Sequence, residues 1–292
     1  MSRRVPALTL FLGGLVGCAS PLRKPVEVRV AAPPVADRPL GAPAHWPERA
    51  PSLHARSAIL IDARTGRTLF QKDADTPMPV ASTQKLVTAL VVLESGPLDT
   101  IVRVRPEDTR VEPTRLGLRA GEQYSRRTLL AGLIVKSGND VAATLARDVS
   151  GDTASFAEAM NRKAADLGAT HSHFVNPHGL PASQHSTARD MARIAYHAYR
   201  EPVLRALMAT KNYPFTFNSG RTRILENTNK LLGHYTPVNG MKTGYTAASG
   251  RCLVASASEG GRDLIFVQLG SKTNWIFSDA EQVFRWAFSG MP

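Results

Sequence analysis

Residues 86–93, Leu-Val-Thr-Ala-Leu-Val-Val-Leu, put the tightest limit on what this chain can become. Leu86, Ala89, Leu90 and Leu93 recur at i, i+3, i+4 and i+7, the period of an α-helix. Val87, Val91 and Val92 make the remaining faces apolar as well. A helix apolar on every side is buried on every side, so other elements have to surround it. At its start stand Ser82 and, one turn later on the same side, Lys85. A solvated Lys85 does not fit such a segment. Lysine is costly to bury, and a buried lysine is pushed toward the neutral amine.

Strand patterns lie at both ends of the globular part and helical patterns between them. Residues 56–73 predict a hairpin with its turn around Arg64-Thr65-Gly66. The run 128–136 reads as a helix ending at a break, Ser137-Gly138-Asn139, behind which Asp140 caps the next helix. In 153–168, Phe156, Ala159, Met160 and Lys163 share one face and Gly168 terminates. Ser186 and Thr187 open a further helix, and 278–288 is a last, amphipathic one. From Asn239 the pattern is of strands separated by glycine-rich turns, Gly260-Gly261 the clearest. This order predicts a sheet closed by the N- and C-terminal segments, with a helical insertion. The 292 residues and 43% hydrophobic content suffice for one large domain or two modest ones.

The first residues read differently. Arg3 and Arg4 precede a short apolar run, the pattern of an export signal over 1–17. Leu15-Val16-Gly17-Cys18 resembles a bacterial lipobox, which implies cleavage before Cys18 and lipid attached to it. Residues 18–51, with eight of the twenty prolines falling after Cys18, then form a stiff tether, and 52–292 the globular domain. At about 3 Å per residue the tether spans something under 100 Å. Ala19, in place of the aspartate that retains lipoproteins in the inner membrane of many Gram-negative bacteria, points to the inner leaflet of the outer membrane. With Cys18 lipidated, Cys252 has no disulfide partner and reads as a small buried apolar residue. The formal charge is +12, and removing 1–17, which carry two arginines and no acid, leaves +10. In an exported protein that charge suits an anionic envelope rather than nucleic acid, and no basic run interleaved with aromatics is present.

Three short stretches follow in order, each at the start or break of an element: Ser82-Thr83-Gln84-Lys85, Ser137-Gly138-Asn139 and Lys242-Thr243-Gly244. Together they resemble the active-site motifs of penicillin-binding proteins and serine β-lactamases. The runs 174–181 (FVNPHGLP), 186–192 (STARDMA) and 241–250 (MKTGYTAASG) narrow the resemblance to the D-alanyl-D-alanine carboxypeptidase family, over roughly 55–292. The resemblance implies an α/β (α+β) fold of the β-lactamase/transpeptidase-like kind. Its features are a five-stranded antiparallel sheet flanked by helices, and a mostly helical second lobe with the site between them.

It also implies roles. Ser82 is the nucleophile and Lys85 its base, kept neutral by burial and by a second cation, Lys242. Ser137 relays a proton to the leaving amine, and Asn139 holds the substrate backbone. Thr243 binds the terminal carboxylate, and Gly244 lets its strand approach the substrate. The backbone N–H groups of Ser82 and Tyr245 form an oxyanion hole, worth about 3–4 kcal/mol per donor. The substrate is a peptidoglycan stem peptide that loses D-alanine, and β-lactams acylate the same serine. No cofactor is called for. The histidines of 171–173 and His178 lack the carboxylate or H-E-x-x-H helix of a metal site, and His178 reads as pinning a turn.

One departure stands out. Members of the family often carry a carboxylate-binding arginine just before the last helix, where this chain has Ser-Lys-Thr-Asn-Trp-Ile-Phe; Lys272 or Asn274 are the candidates to replace it. Three alternatives to a carboxypeptidase therefore stand. One is a D,D-endopeptidase. The second is a β-lactamase, against which there is no glutamate-bearing loop of the class A type. The third is a non-catalytic penicillin or muropeptide sensor.

Overall fold

The computed structural model describes residues 50–290; the export signal, Cys18 and nearly all of the tether lie outside the described residues. The predicted hairpin is formed by β1 (Ser57–Asp62) and β2 (Thr68–Lys72). A 3-10 turn, Ala81–Gln84, leads into α1 (Lys85–Glu94), followed by β3 (Ile101–Arg103) and β4 (Gln123–Ser125). Next come α2 (Arg126–Ala131), a π turn over Gly132–Lys136, α3 (Asn139–Ser150) and α4 (Thr153–Asp166). Then α5 (Ala188–Arg200), α6 (Pro202–Ala209), β5 (Asn212–Thr216) and β6 (Thr222–Glu226) precede the long strands. These are β7 (Val238–Thr246), β8 (Gly250–Glu259) and β9 (Arg262–Ser271), and α7 (Ile276–Gly290) closes the described chain.

The main sheet is antiparallel with strand order β2-β1-β9-β8-β7, so the C-terminal meander is joined to the N-terminal hairpin through the β1–β9 pair. Its two faces are both covered. On one face α7 packs Ile276, Val283 and Phe284 against Leu60, Leu253 and Phe266; on the other, Ile59, Val254, Ile265 and Val267 join the core of the helical lobe. Central β8 and β9 are therefore apolar on both sides, whereas β7 keeps an open edge. Helix α1 is buried from Lys85 through Val92, against α3, α4 and α5, as its all-round apolar sequence requires.

Several local readings change. Asp140 does not cap α3 in the usual way. Its carboxylate accepts the N–H groups of Leu116, Gly117 and Leu118 and so ties a distant loop to the helix start. The buried stripe of α4 is Phe156, Ala157, Met160 and Ala164, because Lys163 turns its ammonium out to Glu94. Thr187 does cap α5, accepting from Asp190 N. The β5–β6 and β3–β4 pairs lie outside the main sheet. Of the side chains in β5 and β6 only Phe215 and Leu225 are buried, too weak an alternation to stand out in sequence.

Phe284 is fully buried and meets Phe266 edge-on at 6.2 Å, joining α7 to the sheet. Truncation by Phe284→Ala is expected to cost about 3–5 kcal/mol in equilibrium urea unfolding. A loss below about 1 kcal/mol would mean that this contact does not hold α7 in place.

Candidate active site

Ser82 lies in the 3-10 turn and Lys85 opens α1, so the tight winding stacks one above the other, with Nζ 2.8 Å from Ser82 Oγ. Lys85 has no exposed surface. Its other two neighbours are fixed acceptors: Asn139 Oδ1 at 2.7 Å and the His178 carbonyl at 2.6 Å. Asn139 cannot present its amide nitrogen instead, because Nδ2 donates to the Pro113 carbonyl. A neutral amine has two N–H groups and one lone pair. Nζ donates to Ser82 Oγ as well as to the two carbonyl-type oxygens, and Ser82 Oγ donates to the His178 carbonyl at 3.2 Å; a neutral amine that keeps its N–H groups on the two carbonyl-type oxygens would turn its lone pair to the hydroxyl.

The loop that supplies the His178 carbonyl is held by its own backbone requirements. Gly179 has φ +88°, and a β-carbon there would lie 2.2 Å from Ala81 O. Asn176 Oδ1 accepts from Gly179 N at 2.8 Å, and Gln84 Nε2 donates to Asn176 O, so the third residue of the Ser-Thr-Gln-Lys run braces the loop. His178 does pin the turn. Its Nδ1 accepts from Leu180 N, and burial pushes its pKa down to about 3, so the imidazole is neutral.

Ser137 and Asn139 part company. Ser137 has φ +66° at the end of the π turn, and its hydroxyl opens on the cavity without a hydrogen bond to either lysine among the described residues. Asn139 instead points inward, to Lys85 and Pro113. Its Oδ1 and one of its two Nδ2 N–H groups are thus engaged with Lys85 and Pro113. Among the described residues, three of the four non-glycine residues in the left-handed region, Ala81, Thr114 and Ser137, border this site, where strain is characteristically stored.

Lys242, Thr243, Gly244 and Tyr245 come from the open edge of β7. Gly244 faces the serine: a β-carbon there would stand 2.9 Å from Ser82 N and 3.0 Å from Ala81 Cβ. Thr243 Oγ1 donates to Thr228 Oγ1 at 2.7 Å, a partner with no signal in the sequence. Tyr245 is exposed at 56%. Thr243, Gly244 and Tyr245, with Ser82, Ser137 and Thr228, line a cavity of about 440 Å³. Neither Lys272 nor Asn274 lines it; Arg251 does, from the strand beside β7.

Burial first, and then the charge of Lys242, hold the Lys85 pKa well below the ordinary lysine value, against the opposing pull of Asp140. Lys242 is itself buried and is brought down to about 7. Among the described residues no three His, Cys, Asp or Glu side chains are grouped to hold a metal ion. Chemically, the arrangement offers a serine hydroxyl with an amine of depressed pKa beside it in a dry site.

The sequence model of D-alanyl-D-alanine carboxypeptidases matches residues 45–273. The chain belongs to the D-alanyl-D-alanine carboxypeptidase family. It is 36% identical to the D-alanyl-D-alanine carboxypeptidase DacB2 of Mycobacterium tuberculosis, over 83% of this chain and 85% of that one. A D-alanyl-D-alanine endopeptidase of Pseudomonas aeruginosa is 32% identical over 99% of this chain and 89% of its own. A solved D-alanyl-D-alanine carboxypeptidase from Mycobacterium tuberculosis superposes with a TM-score of 0.79 at 34% identity, covering 87% of this chain and 97% of the other. The five-stranded antiparallel sheet and helical lobe are those of this family.

Lys242 binds its proton near pH 7 when folded and near the ordinary 10.5 when unfolded. Between those values the unfolded chain carries more protons. Stability therefore rises with pH there, by up to about 1.4 kcal/mol per unit, and is lost as the pH falls from 10.5 toward 7. In urea titrations at about pH 7.5, 8.5 and 9.5, Lys242→Met should flatten the slope by roughly one proton. Equal slopes in the two proteins would mean that Lys242 is solvated.

Proposed function

We propose that this protein is a serine-type D-Ala-D-Ala carboxypeptidase that removes the terminal D-alanine from peptidoglycan stem peptides. The observation that carries the reading is the buried Lys85 amine held 2.8 Å from Ser82 Oγ. Asn139 Oδ1 and the His178 carbonyl accept N–H groups of the amine, and in its neutral form the lone pair turns to the Ser82 hydroxyl as that hydroxyl leaves the His178 carbonyl. Lys85 takes the Ser82 proton as Oγ attacks the carbonyl carbon of the penultimate D-alanine. The oxyanion is received by the N–H groups of Ser82 and Tyr245, brought together by Gly244. On collapse the C–N bond breaks, and the leaving nitrogen takes a proton through the Ser137 hydroxyl from the lysine side of the cavity. Water then attacks the Ser82 ester, its proton returns to Lys85, and the shortened peptide departs. A β-lactam offers the same serine an amide carbonyl and acylates it.

A second reading, D,D-endopeptidase, is favoured by the likeness to the Pseudomonas aeruginosa endopeptidase over 99% of the chain. A stem-peptide assay separates the two. The full chain in mild detergent is incubated with pentapeptide monomers and D-Ala–diaminopimelate cross-linked dimers, and products are followed by mass spectrometry. The carboxypeptidase removes one alanine from monomers; splitting of dimers would assign it to the endopeptidases. Ser82→Ala should lower either activity by at least about 10⁴-fold. Wild type that changes neither substrate would sink the peptidase reading and leave the β-lactamase and the sensor.

The place of action that suits this substrate is the cell envelope. Residues 1–17 act as a lipoprotein signal, Cys18 carries the lipid, and the proline-rich segment lets the domain reach the wall polymer from the periplasmic side of the membrane. In cells fed an alkyne-labelled fatty acid, label should enter the wild type and not Cys18→Ser, which should be recovered without membranes. Equal labelling of both would remove the anchor.

A further inference from the structure

The cavity beside Ser82 has an electrostatic imbalance that none of the motifs explains. No aspartate or glutamate is among the residues that line it, while two cations are, Lys230 and Arg251. Lys230 is already paired with Glu226 at 3.2 Å. Arg251 meets no carboxylate among the described residues. Its guanidinium lies 4.3 Å from the centre of the Tyr245 ring, and Nε reaches Thr273 Oγ1 only at 3.4 Å. A cation stacked on a ring is held in place at little cost while its N–H fork stays free for an anion.

The strand register says where that fork is. Tyr245 pairs directly with Arg251, and Thr243 with Leu253, across the β7–β8 ladder. Side chains alternate along a strand and cross-strand partners share a face. Thr243, Tyr245 and Arg251 therefore occupy the face that α7 covers, whereas Gly244 faces Ser82 on the other. A group that leaves the serine and passes over the β7 edge meets the Thr243–Thr228 hydroxyl pair and then Arg251. Thr243 gives its proton to Thr228, which leaves the Thr228 proton to be donated into the cavity that both line.

We propose that Arg251 reads the negative charge of the substrate, binding the carboxylate on the carbon next to the departing nitrogen. This rests on the peptidase reading above. A terminal D-alanine and the cross-linked diaminopimelate of a dimer both carry a carboxylate at that position, so Arg251 serves either substrate. The residue sits at the start of β8, not on the segment before α7, which is why neither Lys272 nor Asn274 is needed for the task.

The test compares an N-acylated L-Lys-D-Ala-D-Ala tripeptide with the same peptide ending in a carboxamide, using the full chain in detergent. The wild type should prefer the free acid in kcat/KM by about ten- to a hundredfold, the range of a hydrogen-bonded charge pair. Arg251→Ala should bring that ratio to within about threefold of unity, and Arg251→Lys, which keeps the charge without the fork, should fall between. Thermal unfolding of each variant identifies a rate lost to misfolding, which lowers both substrates together and leaves the ratio intact. A wild-type ratio retained in Arg251→Ala, or a wild type without preference, overturns the assignment. Hydrolysis of neither peptide by the wild type, with Ser82→Ala indistinguishable from it, instead removes the peptidase reading on which it stands.

Discussion

Everything in this molecule that bears on chemistry is arranged around the Lys85 amine. Taking it fully out of water is affordable only with its polar valences met, and they are met by one hydroxyl and two oxygens that cannot donate. Each partner arrives from a different part of the chain: the 3-10 turn before α1, the start of α3, and the loop around His178. The supports lie further out. Pro113 orients Asn139, Gln84 braces the 176–180 loop, and Asp140 holds the 116–118 backbone through three N–H groups. A change in any of these reaches Ser82 through the position of the Lys85 amine and of the His178 carbonyl, which both meet its hydroxyl.

The sheet supplies the other half of the site by leaving one edge unpaired. With β7 outermost, its backbone is free to meet an extended peptide, and Gly244 lets it close on the Ser82 amide without a side chain in between. Strands β8 and β9 are covered on both faces and give that edge a rigid backing. The helical lobe does the same for Ser82 and Lys85. The reactive groups thus stand on well-packed elements, and the unusual backbone angles fall at the joints between them, at Ala81, Thr114 and Ser137.

Much of this was legible in the sequence, for a definite reason. The all-round apolar helix and the terminal strands are side-chain patterns that periodicity exposes, and the triplets holding Ser82, Lys85 and Lys242 stood out by their resemblance to a family's motifs. What the sequence hid was carried by backbone or by register. The carbonyl of His178 and the loop amides bound by Asp140 belong to every residue alike, so no pattern marks them. The resemblance gave Asn139 the substrate backbone, and only the fold shows that Pro113 and Lys85 also meet its two ends. Arg251 and Thr228 stand far in the chain from the triplets. Their place beside Thr243 and Tyr245 follows from strand pairing and from the return of the β5–β6 hairpin. That hairpin was missed because it buries only two of its side chains.

The two buried lysines act on one another. Burial brings Lys242 down to about 7, and its charge weighs against a proton on Lys85. Side chains alternate along β7, so Lys242 and Thr243 point to opposite faces, and Thr243, Tyr245 and Arg251 form the acid-free wall on the side of the strand away from the Lys242 amine. That separation leaves the protonation of Lys85 governed by burial and by Lys242, and the reading of substrate charge to a cation that takes no part in it.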